Sequence, residues 1–290
     1  MASTRSNYWL DRRVLAYAHQ GGAWEAPSST LFAIRSAIGL GATGIELDVH
    51  ATLDRQLVVC HDASVDRTTN GSGHISELTL AQLRNLDNAH WWAPGADVTP
   101  GLPVGEYPLR GRVPGDPELG IATLVEVLEL LDGHPEVVLN LDIKGTAPDV
   151  QPYEDLLAAT LADFDRTQGV IVTSFHDSAV RAFSEIAPGV DMAAGPLASA
   201  EFWRDVQAGV QPAELPYAAL QVPISYAGYT VVDERFVASA HRQGVAVHVW
   251  TINEEKEMDR LVDLGVDGII TDLPALLVGL LARKGVAWRI

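Results

Sequence analysis

Short apolar segments rich in β-branched residues recur along the chain, and segments with helical periodicity separate most of them. The apolar segments predict nine strands, at 15–19, 45–50, 57–60, 137–143, 170–174, 190–194, 218–222, 245–251 and 268–271. The helical periodicity predicts helices at 31–40, 80–86, 123–131, 153–164, 178–186, 232–242, 254–264 and 274–282. Such alternation is typical of a mainly parallel sheet that is covered by helices.

The alternation predicts an α/β fold, a closed (β/α)8 barrel of the TIM type, in preference to an open dinucleotide-binding sheet. No GxGxxG motif follows the first predicted strand, and 290 residues are enough for one barrel domain spanning 1–290. Nine predicted strands exceed the eight of such a barrel. Only six residues, 51–56, separate the second strand from the third, which is too few for a helical crossover. We therefore expect the early strands to be irregular.

Between residues 62 and 121 the alternation stops, and Gly, Pro, Asn and Trp become frequent. We interpret 62–121 as an inserted, loop-rich subdomain. Because it follows a strand end, and catalytic loops of barrels follow the C-terminal ends of strands, we expect it to cap the C-terminal face of the barrel. The alternative is an insertion that faces solvent.

Composition and charge narrow the possible partners. The chain has 47% hydrophobic residues and a formal net charge of −18, which indicates a folded protein whose surface repels phosphate backbones. We therefore expect no nucleic-acid partner. No apolar run reaches the roughly 18 residues of a membrane span, and no signal peptide is evident, so we expect a cytoplasmic protein without an integral membrane segment. The single cysteine, Cys60, cannot form an internal disulfide.

Acidic side chains alternate with apolar ones on two of the predicted strands. Glu46 and Asp48 share one face of the second strand, and Asp142 shares a face with Asn140 on the fourth, as expected for a barrel interior. Three carboxylates in one interior would repel one another unless a cation lay between them. We therefore predict a divalent metal site at Glu46, Asp48 and Asp142, with Mg²⁺ or Ca²⁺ favoured over Zn²⁺. The alternative is a buried network in which these acids pair with Lys144 and nearby arginines.

Two histidines end predicted strands beside this acidic face. His19 ends the first strand and His61 ends the third. Because the pKa of imidazole suits proton transfer at neutral pH, the pair predicts a general acid and a general base on either side of a metal-bound phosphate. Lys144 is predicted to neutralise a phosphoryl oxygen in the transition state, or else to form an ion pair with Asp142 or Glu46. Trp250 is predicted to form an apolar wall beside the site, or else to fill the core.

Five segments, in the same order along nearly the whole chain, resemble the glycerophosphodiester phosphodiesterase family. They are AHQGG, ELD, VVCHDASVDRTTNGSG, LDIKG, and WTIN with LGVDGIITDLP. The resemblance implies a phosphatidylinositol-phospholipase-C-like barrel hydrolase that cuts glycerophosphodiesters to glycerol 3-phosphate and an alcohol.

Carried onto this sequence, the resemblance implies a divalent metal on the three carboxylates, His19 and His61 as the acid–base pair, and Lys144 on the phosphate. It also implies that the adjacent glycerol hydroxyl attacks first and that water then opens a cyclic phosphate.

The sequence departs from the family pattern at three positions. Gln20 stands where the family usually has a phosphate-binding Arg, and we interpret it as an uncharged substrate-binding residue. Ser28 stands where the family usually has Glu. Asp142 stands where Glu is commoner, which resembles sphingomyelinase D-like phospholipases.

Two alternatives to the phosphodiesterase hypothesis therefore stay open. One is a sphingomyelinase D-like or lysophospholipase D enzyme that releases a cyclic phosphate. The other is a barrel that binds a phosphodiester without turnover. In each case the expected ligand is a small-molecule glycerophosphodiester or lysophospholipid, and no oligomeric state is predicted.

Overall fold

The structure is a computed structural model and describes residues 7–10 and 12–288. The strands of the described residues are β1 (Leu15–His19), β2 (Gly44–Ala51), β3 (Leu57–Val59), β4 (Trp92–Ala93), β5 (Ala96–Val98), β6 (Val138–Ile143), β7 (Val170–Thr173), β8 (Asp191–Met192), β9 (Ala219–Pro223), β10 (Ser225–Tyr226), β11 (Tyr229–Thr230), β12 (Ala246–Trp250) and β13 (Gly268–Thr271).

The α-helices are α1 (Leu31–Gly39), α2 (Leu80–Leu83), α3 (Leu124–Asp132), α4 (Glu154–Asp163), α5 (Asp177–Ile186), α6 (Pro196–Ala208), α7 (Glu234–Arg242), α8 (Glu255–Leu264) and α9 (Pro274–Lys284). Short 3₁₀ helices lie at Ile75–Glu77, Val104–Glu106 and Pro117–Leu119. In the described part of the chain, none of the helices has both the length and the apolar character needed to cross a bilayer. A cytoplasmic location stays a prediction, as does the absence of a nucleic-acid partner.

Eight parallel strands form a nearly closed barrel in the order β1, β2, β6, β7, β8, β9, β12 and β13. Strand β13 pairs with β1, and one parallel bridge between Ala193 and Ala219 joins the two remaining edges. Two backbone hydrogen bonds of 2.9 Å support this junction, from Ala218 N to Met192 O and from Ala194 N to Ala219 O. The predicted TIM-type barrel is confirmed.

The irregular early part of the barrel is a hairpin. Strand β3 is outside the barrel and pairs antiparallel with β2, with Val59 opposite Val49. A short turn is sufficient for an antiparallel connection, which explains why only six residues separate the second and third predicted strands. The parallel neighbour of β2 is β6, with Asp48 opposite Asp142. The extra strand among the nine predicted is therefore the third, β3, which is an addition to the barrel rather than part of it.

Alternating side chains divide the barrel into two layers. Ile45, Leu47 and Val49 point outward and are fully buried in a core that includes residues of α1 and α3. Inside the barrel, Tyr17 and His248 lie side by side, with ring centroids 5.3 Å apart. Gly268 leaves room for both, because a Cβ atom there would lie 2.9 Å from His248 Cδ2 and 3.2 Å from Tyr17 Cε2.

The inserted segment packs against β3 around a small apolar core formed by Val58, Cys60, Val65, Ile75, Leu83 and Ile121. It is attached to the loop that follows β1. Asn88 Nδ2 donates to the Ser28 carbonyl at 3.0 Å, and Trp92 Nε1 donates to the Ala23 carbonyl at 3.0 Å. The insertion therefore lies beside the end of the barrel at which β1 terminates.

Helix α6 was not predicted from the sequence. It buries only Phe202 and Val206, so its apolar periodicity is weak. Pro196 occupies its first turn, and Gly209 ends it in the left-handed conformation with φ of 70°. The helix carries Trp203 to the rim of the barrel.

Candidate active site

A cavity of about 610 Å³ opens at the end of the barrel where the parallel strands terminate. Its polar part is lined by His19, Glu46, Asp48, His61, Asn140, Asp142 and Lys144. The structure therefore brings together both predicted catalytic histidines, all three predicted metal ligands and the predicted phosphate-binding lysine. Their roles in binding and catalysis stay predictions.

The ring of His19 is fixed by a chain of hydrogen bonds. Its Nδ1 atom lies 2.6 Å from Asp272 Oδ1, and Asn253 Nδ2 donates to the other carboxylate oxygen of Asp272 at 2.6 Å. Burial lowers the pKa of His19, but the hydrogen bond to Asp272 and the charge of Glu46 outweigh burial and raise this pKa to about 9. The two carboxylates therefore favour the protonated form of the His19 imidazole.

His61 has a similar carboxylate partner. Its Nδ1 atom lies 2.7 Å from Asp62 Oδ1, and Arg67 Nε donates to Asp62 Oδ2 at 2.6 Å. The hydrogen bond with His61, together with Arg67, holds the pKa of Asp62 well below its usual range despite partial burial. The rings of His19 and His61 have centroids 6.4 Å apart. In both residues a carboxylate engages Nδ1, so Nε2 is the nitrogen for proton exchange. In His19 this atom also contacts the Gln20 side-chain amide, at 3.1 Å.

Lys144 lies between two of the acidic side chains. Its Nζ atom is 3.0 Å from Asp48 Oδ1 and 3.3 Å from Asp142 Oδ2. Burial lowers the pKa of Lys144, but the two carboxylates outweigh burial and raise it above its ordinary value. The ion pair with Asp142 was predicted from the sequence as the alternative role of Lys144. Both pairs are compatible with a phosphate-binding role, since the ammonium also lines the cavity.

The acidic cluster retains unpaired oxygen atoms. Among the described residues, Asp48 Oδ2 and Asp142 Oδ1 are buried without a hydrogen-bond partner. Burial and the neighbouring Asp48 raise the pKa of Glu46, and burial also raises that of Asp142. Unpaired buried carboxylate oxygens are ligands that a hard divalent cation prefers, and a cation would relieve the repulsion between them.

The donor chemistry of the cluster therefore fits Mg²⁺ or Ca²⁺. The side chains are not drawn together around such an ion, however. Within residues 7–10 and 12–288, no three His, Cys, Asp or Glu side chains converge into a group that could hold a metal as they stand. In this arrangement the Lys144 ammonium supplies the positive charge.

Gln20 is buried behind His19 rather than in the cavity lining. Its backbone takes a left-handed conformation with φ of 52°, and its amide nitrogen lies 3.1 Å from His19 Nε2. Gln20 N also donates to the Glu46 carbonyl at 2.9 Å. The structure thus places Gln20 against His19 and Glu46, and its predicted contact with substrate stays a prediction. Ser28 is buried as well and does not line the cavity.

The rest of the cavity lining is mainly apolar and aromatic. Trp250 lies in this wall, with its ring centroid 5.6 Å from that of Phe175, and it also packs against the barrel core. Its role in substrate binding stays a prediction. None of the described side chains of 62–121 is among the lining residues. The wall is supplied by segments that follow β7, β9 and β12 and by α6, so a capping role of the insertion stays a prediction.

Sequence reasoning missed the carboxylates that orient the histidines. The sequence contained a signal for one of these carboxylates, because Asp62 directly follows His61. Asp272 lies in the segment LGVDGIITDLP, which carries part of the family resemblance. By contrast, Trp203, Tyr226 and Tyr229 come from a helix and a hairpin that no apolar pattern predicted.

Comparison with known proteins agrees with this geometry. The profile of the glycerophosphoryl diester phosphodiesterase family matches residues 19–276. The chain belongs to the glycerophosphoryl diester phosphodiesterase family. A glycerophosphodiester phosphodiesterase of Caldanaerobacter subterraneus is 31% identical over 274 residues, which are 94% of this chain and 100% of the relative. Another of the same name from Bacillus subtilis is 29% identical over 287 residues, covering 95% and 89%.

Solved structures share the barrel of this phosphodiesterase family member. The glycerophosphoryl diester phosphodiesterase domain of a Mycobacterium tuberculosis protein superposes with a TM-score of 0.76 at 20% identity, over 94% of this chain and 100% of that one. An Oleispira antarctica phosphodiesterase, solved in complex with the product sn-glycerol 3-phosphate, gives a TM-score of 0.68 at 22% identity, over 93% and 97%. Both likenesses confirm the fold.

Proposed function

We propose that this protein hydrolyses glycerophosphodiesters to glycerol 3-phosphate and an alcohol, with a divalent metal and two histidines as the acid–base pair. One observation carries the proposal. The imidazoles of His19 and His61, with ring centroids 6.4 Å apart, line the same cavity as a buried acidic cluster. Family membership and the product-bound relative from Oleispira antarctica support the substrate class.

The two histidines would divide the proton transfers of the first step. His61 accepts the proton of the glycerol hydroxyl next to the phosphate, and that oxygen attacks phosphorus. The bond from phosphorus to the leaving alcohol breaks, and protonated His19 donates its proton to the departing oxygen. The products of this step are a cyclic glycerol phosphate and the alcohol.

Water completes the reaction with the histidine roles reversed. His19, now neutral, accepts a proton from water, the water oxygen adds to phosphorus, and His61 protonates the ring oxygen that departs. Each histidine returns to its starting state, and glycerol 3-phosphate is released. Asp272 and Asp62 hold the two rings in orientation throughout.

The basic and acidic groups beside the histidines would bind the phosphate. Lys144 stabilises the charge that accumulates on a phosphoryl oxygen. Glu46, Asp48 and Asp142 would hold the divalent cation, Mg²⁺ or Ca²⁺. When bound, the cation supplies Lewis-acid stabilisation of the phosphoryl oxygens.

Phosphorus NMR of the protein with glycerophosphocholine and Mg²⁺ or Ca²⁺ tests the proposal. We expect glycerol 3-phosphate to appear, to disappear with a chelator, and to be lost in His61→Ala. His134→Ala is the matched control, because His134 is on the surface and pairs with Glu136 outside the cavity. A cyclic phosphate that persists would favour the lysophospholipase D-like alternative. No turnover with either metal would contradict the proposal and favour the binding-only barrel.

A further inference from the structure

Aromatic side chains form one side of the cavity beyond the acidic cluster. We call this surface the aromatic wall; it consists of Phe175, Trp203, Tyr226, Tyr229 and Trp250. Small apolar residues fill the space between the rings, namely Ala194, Pro196, Ala200, Val222, Pro223 and Val231. Lys144 Nζ lies 5.8 Å from the Phe175 ring centroid, so the wall begins beside the proposed phosphate site.

The rings of the aromatic wall are held in place by specific contacts. Trp203 and Tyr229 lie edge to face, with centroids 5.8 Å apart. Trp203 Nε1 donates to the Thr230 carbonyl at 2.9 Å, so the polar tip of the indole is satisfied. Thr230 belongs to the β10–β11 hairpin, in which Tyr226 pairs with Tyr229. The hairpin and α6 thus present a preformed apolar surface.

Parts of this surface are strongly exposed. Phe175 is 60% exposed, Tyr226 74% and Tyr229 63%. Scattered exposed apolar residues are ordinary, but a contiguous group at the mouth of a cavity is typical of a binding surface. An occupant that removes these rings from water is favoured by the hydrophobic effect.

The distribution of charge indicates which kind of occupant fits. Every charged residue that lines the cavity is in the polar part described above, and the aromatic wall contributes none among the described residues. A quaternary ammonium group would meet aromatic faces there without a carboxylate beside it. Such a group can stack on these faces without a carboxylate, but the small apolar residues between the rings make the wall a continuous nonpolar surface, which suits a hydrocarbon chain better than a cation.

We infer that the preferred substrates are phosphodiesters that carry an alkyl or acyl chain, the lysophospholipid class, with the chain lying along the aromatic wall. The inference rests on the proposed function, because the wall and the two histidines line one cavity and a single ligand must reach both. It also explains the size of the cavity, since 610 Å³ lies well within the range of about 300–1,000 Å³ that holds larger organic ligands.

A chain-length series of lysophosphatidylcholines below their micellar concentrations, compared with glycerophosphocholine, tests the inference. We expect kcat/KM to rise with each added methylene, by about fourfold at most for complete burial and less for burial on one side. Because the substrates are monomers, the gain cannot come from binding to a lipid surface. Equal kcat/KM across the series would overturn the inference and leave the proposed function intact.

Variants of the aromatic wall test whether the wall causes the rise of kcat/KM with chain length. Trp203→Ala and Tyr229→Ala should reduce the ratio of kcat/KM for lysophosphatidylcholine to that for glycerophosphocholine about tenfold or more, and Trp203→Phe should restore most of it. Leu197→Ala is the matched control, because Leu197 is an exposed residue of the same helix that does not line the cavity. A chain-length gain that survives both alanine variants would contradict the inference.

A binding measurement separates failure of the inference from failure of the proposed function. Calorimetric titration with dodecylphosphocholine and with phosphocholine should show tighter binding of the former by at least about tenfold. If the protein turns over no substrate and still shows this preference, the proposed function fails and the wall remains a chain-binding surface. Equal affinities would overturn the inference. A preference for glycerophosphocholine over glycerophosphoethanolamine would also overturn the inference if Trp203→Ala abolished it. Such a result would show that the wall binds a quaternary ammonium group.

Discussion

Asp272 Oδ1 lies 2.6 Å from His19 Nδ1, although 253 positions separate the two residues in the chain. The pair forms because His19 ends β1 and Asp272 follows β13, and these strands are neighbours in the barrel. The orientation of a predicted catalytic group therefore depends on closure of the barrel between its first and last strands.

We expect Asp272→Asn to lower kcat by about 10²- to 10⁴-fold, with little change in the free energy of unfolding. The amide removes the charge that holds His19 protonated and can present a hydrogen-bond donor to Nδ1, which disfavours the required form of the ring. Steady-state kinetics with glycerophosphocholine measure the effect. Glu136→Gln is the control, because it alters a histidine–carboxylate pair on the surface. Wild-type kcat in Asp272→Asn would show that the contact has no part in catalysis.

Lys144→Ala should lower kcat/KM for glycerophosphocholine about 100-fold or more. The variant removes the ammonium that would stabilise a phosphoryl oxygen, and such groups contribute strongly in a water-excluded site. Lys284→Ala is a suitable comparison, since Lys284 pairs with Asp259 and Asp263 outside the cavity. Near-wild-type kcat/KM in Lys144→Ala would refute the phosphate-binding role.

Added Mg²⁺ or Ca²⁺ should stabilise the folded protein through the acidic cluster. A ligand that binds only the folded state at 100 times its Kd adds about 2.7 kcal/mol to the free energy of unfolding. Thermal unfolding with and without a chelator measures this gain, and it should be lost in the double variant Asp48→Asn/Asp142→Asn. A metal-dependent rise in Tm that persists in this variant would place the cation elsewhere.

We expect the free energy of unfolding to decrease as the pH falls below 6.5, because His248 is buried in its neutral form. Burial lowers the pKa of His248 to about 3, so the folded state keeps this ring neutral while the unfolded chain binds a proton below about pH 6.5. The contribution is present above pH 6.5 and decreases toward pH 3, by about 1.4 kcal/mol per pH unit over most of that interval.

Urea unfolding of wild type and His248→Gln at pH 7 and pH 5 isolates this contribution. The wild type should lose about 2 kcal/mol more than the variant between these two values. His134→Gln, which changes an exposed histidine, should follow the wild type. Parallel losses in wild type and His248→Gln would show that His248 is not the group responsible.

Gly268→Ala should destabilise the protein by about 1–3 kcal/mol. The new Cβ atom would lie 2.9 Å from His248 Cδ2, and neither His248 nor Tyr17 can move away easily inside the barrel. Gly39→Ala is the matched control because its Cβ atom meets nothing within 4 Å at the end of α1. It should stabilise by a few tenths to about 1 kcal/mol through helix propensity. The prediction fails if urea unfolding gives equal midpoints for the two variants.

The barrel and the polar part of the site could be predicted because β-strand periodicity separates interior from exterior. In β2 the apolar residues pack outward, so Glu46 and Asp48 had to point inward, and Asp142 followed by the same rule on β6. Neighbouring parallel strands then bring these residues to one level. The prediction thus used only the sequence positions and the geometry of a closed sheet.

The aromatic wall could not be predicted by the same argument. Its hairpin turns at Ala227 and Gly228, with φ of 49° and 85°, and each of its strands has only two residues. Such short strands have no measurable alternation, and α6 buries too few residues to show helical periodicity. The antiparallel direction of β3 was not predicted either, although the six-residue connection, which is too short for a helical crossover, carried a signal for it.

The pairing of β2 with β6 means that residues 52–137 leave the barrel and return to it between two adjacent strands. The barrel can therefore close whatever the length of this excursion. Only its first part is tied to the chemistry, because Cys60 N donates to the Asp48 carbonyl at 3.0 Å and so fixes the approach of His61. Between Arg67 and α3, the contacts of the insertion with β3 and with the loop after β1 limit how far evolution or protein design can lengthen or exchange the excursion.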